Sequence, residues 1–440
     1  MKLSRRLTMG SIMLLIFFGC SKKNALINLD ESGIPKNVEI AGGANGVGPC
    51  EPSISINPSN PLQIVAGSIL NRVHVSNDGG KTWSNSKLES SYGVYGDPVV
   101  RFDGNGNVYY AHLSNPAGFA YASEEWLDRI VVQKSSDGGK TWNDGTFPAV
   151  DHKKDHDKQW LYVDDKSETI LMSWTEFDKY GSEKVEDRSR ILFSSSSDQG
   201  ESWTEAIAIS EKEGDCIDGD HTTEGALPIM DDEGNMYVAW ALGENIYLDK
   251  SSDGGKTWLE KDLIAAKHFG GWNLDIPGIS RCNGMPILEM DRSNGKYKGT
   301  MYINWTDQKN GIDDTDVWLV KSEDGGETWS ERIRVNDDGK GNHQFFTWMD
   351  VDPITGYIYI VFYDRRNYDD LKTDVFLAYS IDGGNSFSNI KISESPFIPN
   401  ENVFFGDYND ISAYDGKIRP IWTRLDGNRL SVWTALIEMK

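Results

Sequence analysis

One eight-residue phrase recurs through this chain and constrains its fold more than any other feature. Ser76 to Trp83 has the form S-x-D-x-G-x-[TS]-[WF] and returns at Ser135 to Trp142, Ser196 to Trp203, Ser251 to Trp258, Ser322 to Trp329 and Ser380 to Phe387. Successive first serines stand 59, 61, 55, 71 and 58 residues apart. A period of this length marks a stacked or radial repeat, not a set of independent domains. Within each phrase the aspartate can accept hydrogen bonds from the turn that follows, the glycine can take positive φ, the Thr or Ser can close the turn, and the aromatic ring can pack on the sheet. These aspartates are therefore read as structural rather than catalytic.

Upstream of each phrase lies a second recurring unit. An apolar strand leads to a turn rich in Asp, Gly and Asn, and a second strand ends in an aromatic residue. Asp97 to His112, Glu224 to Trp240, Gly284 to Trp305 and Gln344 to Tyr363 are examples. Each repeat thus carries four strand signals. Four-stranded antiparallel units repeated radially predict an all-β fold, a β-propeller. Six phrases give six blades. A seventh unit follows without a phrase, with strands at Asp410 to Tyr414, Ile418 to Trp422 and Leu430 to Ile437. Its missing outer strand is expected from Asn37 to Ala41, which would close the ring and remove exposed edges. The alternative is six blades plus a C-terminal hairpin.

The N-terminus reads differently. Lys2, Arg5 and Arg6 precede the apolar run Met9 to Phe18, which ends in Gly19 and Cys20. A positive segment followed by a short apolar one reads as an export signal. The Gly-Cys ending resembles a bacterial lipoprotein signal, which implies lipidation of Cys20. The expected organisation is a signal over residues 1–19, a tether over 20–36 and a propeller over 37–440. The expected location is the bacterial cell envelope, lipid-anchored and facing the periplasm or the exterior. The chain carries 44 Lys+Arg against 68 Asp+Glu, a net charge of −24. That balance excludes nucleic acid as a partner, because phosphate binding needs clustered cations. No cofactor and no metal are expected. The pairs Asp313-Asp314 and Asp369-Asp370 lack the order of a calcium loop, and the tract from Asp151 to Lys158 lacks a metal-ligand spacing.

The phrases and hairpins resemble the BNR, or Asp-box, propellers of the sialidase-like superfamily over nearly the whole chain from Asn37. The resemblance implies fold more than activity, since such propellers include sialidases, other glycosidases, receptors and non-enzymatic proteins. The sialidase Arg-Ile-Pro motif of the first blade is here Cys50-Glu51-Pro52, with an acid in the arginine's place. The other sialidase arginines, the Tyr-Glu pair and the Asp acid have no residue-by-residue counterparts. Sialidase catalytic domains have six blades. A true exo-sialidase is therefore not the expected activity.

In this topology the phrase turns occupy one face, and the segments entering first strands and leaving second strands occupy the other. Ligands of propellers bind near the channel on that loop-rich face. The expected binding residues there are Glu51, Asp97, Asp157, Glu176, Arg281, Asp307, Arg365, Arg366 and Arg424. Asp364, Asp407, Tyr408 and Glu224 are the candidate catalytic residues. Paired carboxylates would suit glycoside hydrolysis, whereas a His, Tyr and Arg set would suit elimination next to a uronate. Any of these acids could equally lock neighbouring blades together. The expected function is a glycan-binding and glycan-cleaving propeller, with a non-catalytic glycan- or protein-binding scaffold as the alternative. The expected partners are a glycan or glycoconjugate and a membrane through the lipid anchor, with the chain as a monomer. Cys216 and Cys282 fall on adjacent loops of this face and are expected to form a disulfide, leaving Cys50 unpaired.

Overall fold

The computed structural model describes residue 27 and residues 33–43, 48–118, 125–148 and 150–439. The signal segment and Cys20 lie outside the described residues. The described chain is all-β: seven antiparallel sheets arranged as the blades of a propeller. The first strands line the channel: Ser53–Ile56, Val99–Phe102, Asp155–Val163, Glu224–Met230, Ile287–Met290, Gln344–Val351 and Asp410–Tyr414. In blade two the fourth strand is reduced to a single bridge between Val132 and Thr146.

The ring closes as the sequence predicts. Asn37–Gly42 pairs antiparallel with Arg429–Ala435 as the outer strand of blade seven. Ile40 is buried on this strand in a cluster with Ile54, Ile56 and Ile421, between blades seven and one. The strand Asn37–Gly42 and the last three-stranded unit therefore share one sheet, which closes the ring.

Neighbouring first strands do not share backbone ladders. Short polar side chains link them instead. Ser53 Oγ accepts the Val100 N–H at 3.0 Å, and Ser55 Oγ accepts that of Phe102 at 3.1 Å. Asp410 Oδ2 accepts from Ile54 N at 3.0 Å, Ser53 Oγ at 2.8 Å and Arg101 Nη1 at 3.0 Å. These bonds satisfy buried backbone donors that would otherwise be costly. Between blades, second strands contribute the large rings: Trp174, Trp240, Trp305 and Trp422 are all fully buried. Truncating any of them to Ala would cost about 3–5 kcal/mol.

The repeated phrase is a hydrogen-bonded turn. Asp78 Oδ1 accepts the N–H groups of Lys81 and Thr82, each at 2.9 Å, while Oδ2 accepts the Thr82 hydroxyl at 2.6 Å. Asp137, Asp198, Asp253, Asp324 and Asp382 repeat the hydroxyl contact. The Thr141 N–H and hydroxyl hold the Asp137 carboxyl down at about 2. Both oxygens of these aspartates are spent on their own turns.

Candidate functional site

A cavity of about 510 Å³ opens on the face opposite the phrase turns. Its polar wall is Glu51, Asp97, Asp157, Lys158 and Arg281. Trp126, Tyr95, Tyr180, Phe404 and Leu70 give it an apolar side. Three of the polar residues share a backbone device. Glu51 and Asp97 have φ of 49° two residues before their first strands, and Lys158, at 52°, sits at the bulge inside its first strand, two residues before pairing resumes at Trp160. Phe346 and Gly225 occupy the same place in blades six and four, at 49° and 72°. A non-glycine residue in this region costs energy, of order 1–3 kcal/mol. Five of seven blades thus enter the channel through a left-handed kink. Gly406 fits the kink of blade one closely, for a Cβ there would stand 2.8 Å from Glu51 Cγ.

Asp407 is the hub beneath this wall. It receives Lys158 Nζ at 2.7 Å and Arg281 Nε at 2.8 Å, with Arg281 Nη2 as a third donor. Lys158 also reaches Asp97 at 3.4 Å, and Arg281 Nη1 donates to Asp218 at 2.9 Å. The Tyr180 hydroxyl donates to Asp218 at 2.7 Å. Burial opposes ionisation of Asp407, but the two cations outweigh it and hold the carboxyl at about 2.

The neighbouring acids go the other way. Burial first, then the Asp97 and Asp407 charges, push Glu51 well above the usual carboxyl range against the pull of Lys158 and Arg281. Burial likewise raises Asp157 to about 7, although Lys158 draws it down. Glu224 lies fully buried and outside the cavity lining; burial, then Asp218 and Asp157, push it well up. One wall therefore combines a carboxyl raised by burial, a carboxyl poised near neutrality and an ionised hub. Among the described residues no group of three or more His, Cys, Asp and Glu is arranged to hold a metal ion.

The channel below is plugged. The rings of Trp160 and Trp348 lie 4.4 Å apart, and Tyr408 meets Trp160 edge-on at 5.2 Å. Tyr408 spends its hydroxyl on the Pro98 carbonyl at 3.4 Å and does not line the cavity.

Of the residues singled out from sequence, Glu51, Asp97, Asp157 and Arg281 line the cavity, with Asp407 directly behind them. The others lie elsewhere. Glu176 pairs with Arg190 at 2.7 Å, Asp307 with Arg332 at 2.9 Å and Asp364 with Arg366 at 2.7 Å. Arg424 is clamped to Asp426 at 2.6 Å. Arg365 lines a separate cavity on blade six. The expected Cys216–Cys282 bridge does not form: both are free, buried thiols, as is Cys50. Cys216 is held in a bridge with Ser182, whereas Cys282 lies against Asn283 in the next blade's loop. Sequence reading missed Asp218, Tyr180, Trp126 and Phe404. Their only signal was position in loops of the same face.

No protein-family model and no curated protein matches the chain. Solved structures do. An ulvan lyase of a new polysaccharide-lyase family is 12% identical, with a TM-score of 0.54 over 90% of this chain and 95% of that chain. A Hadza microbial sialidase is 14% identical, with a TM-score of 0.49 over 87% and 75%. The NanB sialidase from Streptococcus pneumoniae is 10% identical, with a TM-score of 0.49 over 92% and 95%. The lyase likeness establishes the fold class, a seven-bladed β-propeller.

Proposed function

We propose that the mouth cavity binds a neutral, hydroxyl-rich glycan and hydrolyses a glycosidic bond. The observation that carries this reading is the pairing, in one cavity, of a buried Glu51 whose carboxyl is pushed well up by burial with Asp157 at about 7. Glu51 serves as general acid toward the leaving oxygen, and Asp157 as the base or nucleophile for the anomeric carbon. Trp126, Tyr95 and Phe404 offer ring faces to the apolar side of a sugar.

The charge balance favours a neutral ligand. Among the described residues lining or backing the cavity, Asp97, Asp218 and Asp407, joined by Asp157 as it ionises, face two cations, Lys158 and Arg281. Arg281 spends Nε and both Nη groups on Asp407 and Asp218. A sialate or uronate carboxylate would find no uncommitted cation on this wall.

The chain is further read as an exported lipoprotein tethered through Cys20, acting as a monomer. A Cys20→Ala variant should lose radiolabelled-lipid incorporation and leave the membrane fraction; unchanged partitioning would refute the anchor. For the activity, the protein is incubated with a panel of neutral and acidic oligosaccharides, and binding and products are measured. Cleavage of a neutral member supports the reading. Binding without products would establish the scaffold alternative, and neither binding nor products would overturn both.

A further inference from the structure

We propose a second ligand site on blade six, separate from the mouth cavity, that binds a single oxyanion group through Arg365. The proposal is independent of the hydrolytic reading. A cavity of about 450 Å³ is lined by Arg365 together with His343, Asn342, Tyr368 and Leu371. Arg365 is only 4% exposed. Its Nε donates to Thr373 Oγ1 at 3.1 Å and its Nη1 to the Pro277 carbonyl at 2.8 Å. Both partners are neutral. Nη2 is buried with no hydrogen-bond partner.

This arginine differs from its neighbours. Arg366 pairs with Asp364 and Asp337, Arg334 with Asp316 and Asp338, and Arg332 with Asp307. No carboxylate among the described residues forms an ion pair with Arg365. The guanidinium stacks over the Phe345 ring at 5.1 Å, which positions its plane but supplies no counter-charge. Burial draws its basicity down to about 10, so it is still cationic at neutral pH. A buried, charged donor without a countercharge is costly unless a partner arrives from outside. With Nε and Nη1 committed, Nη2 is the remaining donor for a charge-assisted hydrogen bond to a carboxylate or sulfate oxygen.

The other groups fit one oxyanion rather than a dense polyanion. His343 uses Nδ1 on the Thr315 hydroxyl at 3.1 Å and retains Nε2 as its second polar atom. The Arg365 N–H donates to the His343 carbonyl at 3.2 Å, which ties the two residues together. Asp369 and Asp370 also line this cavity as exposed side chains, and Asp370 is ion-paired to Lys372 at 3.0 Å. These acids repel additional negative charge arriving with the ligand.

The test is calorimetric titration of the whole protein with sodium sulfate and, separately, sodium acetate, at ionic strength matched with sodium chloride. Saturable binding of sulfate alone assigns a sulfate ester, and saturable binding of acetate assigns a carboxylate; either result supports the site. Arg365→Gln should weaken the dissociation constant by about tenfold or more. Leu371→Glu changes an exposed residue at the same cavity and adds a repelling charge, so it should weaken binding without affecting the fold. Binding of neither anion, or binding unchanged in both variants, overturns the proposal.

Discussion

Removing the Asp407 carboxylate is the sharpest perturbation of the mouth. Asp407→Ala strips Lys158 of its 2.7 Å partner and leaves a 4%-exposed ammonium with only Asp97 at 3.4 Å. Breaking a buried pair in this way costs about 3–5 kcal/mol, because one charge stays buried and uncompensated. Arg281 adds little, at most ~1 kcal/mol, since it is 37% exposed and retains Asp218. The expected loss at pH 7 is therefore about 3–5 kcal/mol in guanidinium unfolding followed by tryptophan fluorescence. Adding Lys158→Met should recover about 2 kcal/mol or more, because the orphaned charge is then gone. Asp407 is held down at about 2, below its unfolded value. Its contribution is thus present above about pH 4 and fades as pH falls through about 2, so the wild-type advantage should shrink in acid. An Asp407→Ala variant within 1 kcal/mol of wild type, or a double variant whose losses simply add, would refute the hub.

Other perturbations probe the acids, the kink and the closure. Glu51→Gln replaces a carboxyl that burial holds toward its neutral form with a neutral isostere; stability should hold within about 1 kcal/mol while turnover falls about 10²–10⁴-fold, read from parallel melting and product assays. Asp157 is raised to about 7, so the stability it contributes is full below about pH 4 and is lost as pH rises through about 7. Asp157→Asn should flatten that dependence and melt higher than wild type at pH 8, and a lower melting temperature there would count against a buried raised carboxyl. Gly406→Ala meets both a φ of 93° and the Glu51 side chain, and should cost about 2 kcal/mol or more in denaturant unfolding. Ile40→Ala on the closing strand should cost about 2–4 kcal/mol by the same measurement, if the N-terminal strand is integral to blade seven.

The blade count was legible because the repeated turn is a local device whose residues bond to one another. Ser76, Asp78, Gly80 and Thr82 form their bonds within one turn, so the sequence pattern is the structure. The closure was legible for a related reason: three terminal strands need a fourth, and only Asn37 to Ala41 offered one. The site was legible by face but not by radius. Residues leading into or opening first strands, such as Glu51, Asp97, Asp157 and Asp407, come to the channel. Charged residues leaving second strands, such as Glu176, Asp307, Asp364 and Arg424, lie farther out and are consumed by ion pairs. Chain position alone treats the two groups alike. Tyr408 shows a further limit: its place before a first strand was right for the mouth, yet its ring belongs to the aromatic plug with Trp160 and Trp348. Nor could spacing reveal the left-handed kinks, since Glu51, Asp97 and Lys158 are not glycines.

The measurement that bears most directly on the mouth as an acid–base site is the pH dependence of kcat/KM for the glycan the protein cleaves, in wild type and in Glu51→Gln. The account predicts two limbs: the rate rises through about pH 7 as Asp157 ionises, and it falls with the loss of the Glu51 proton, which burial holds on. Glu51→Gln should lower the whole curve and abolish the alkaline fall. A flat profile across this range, or a Glu51→Gln variant as active as wild type, would contradict it.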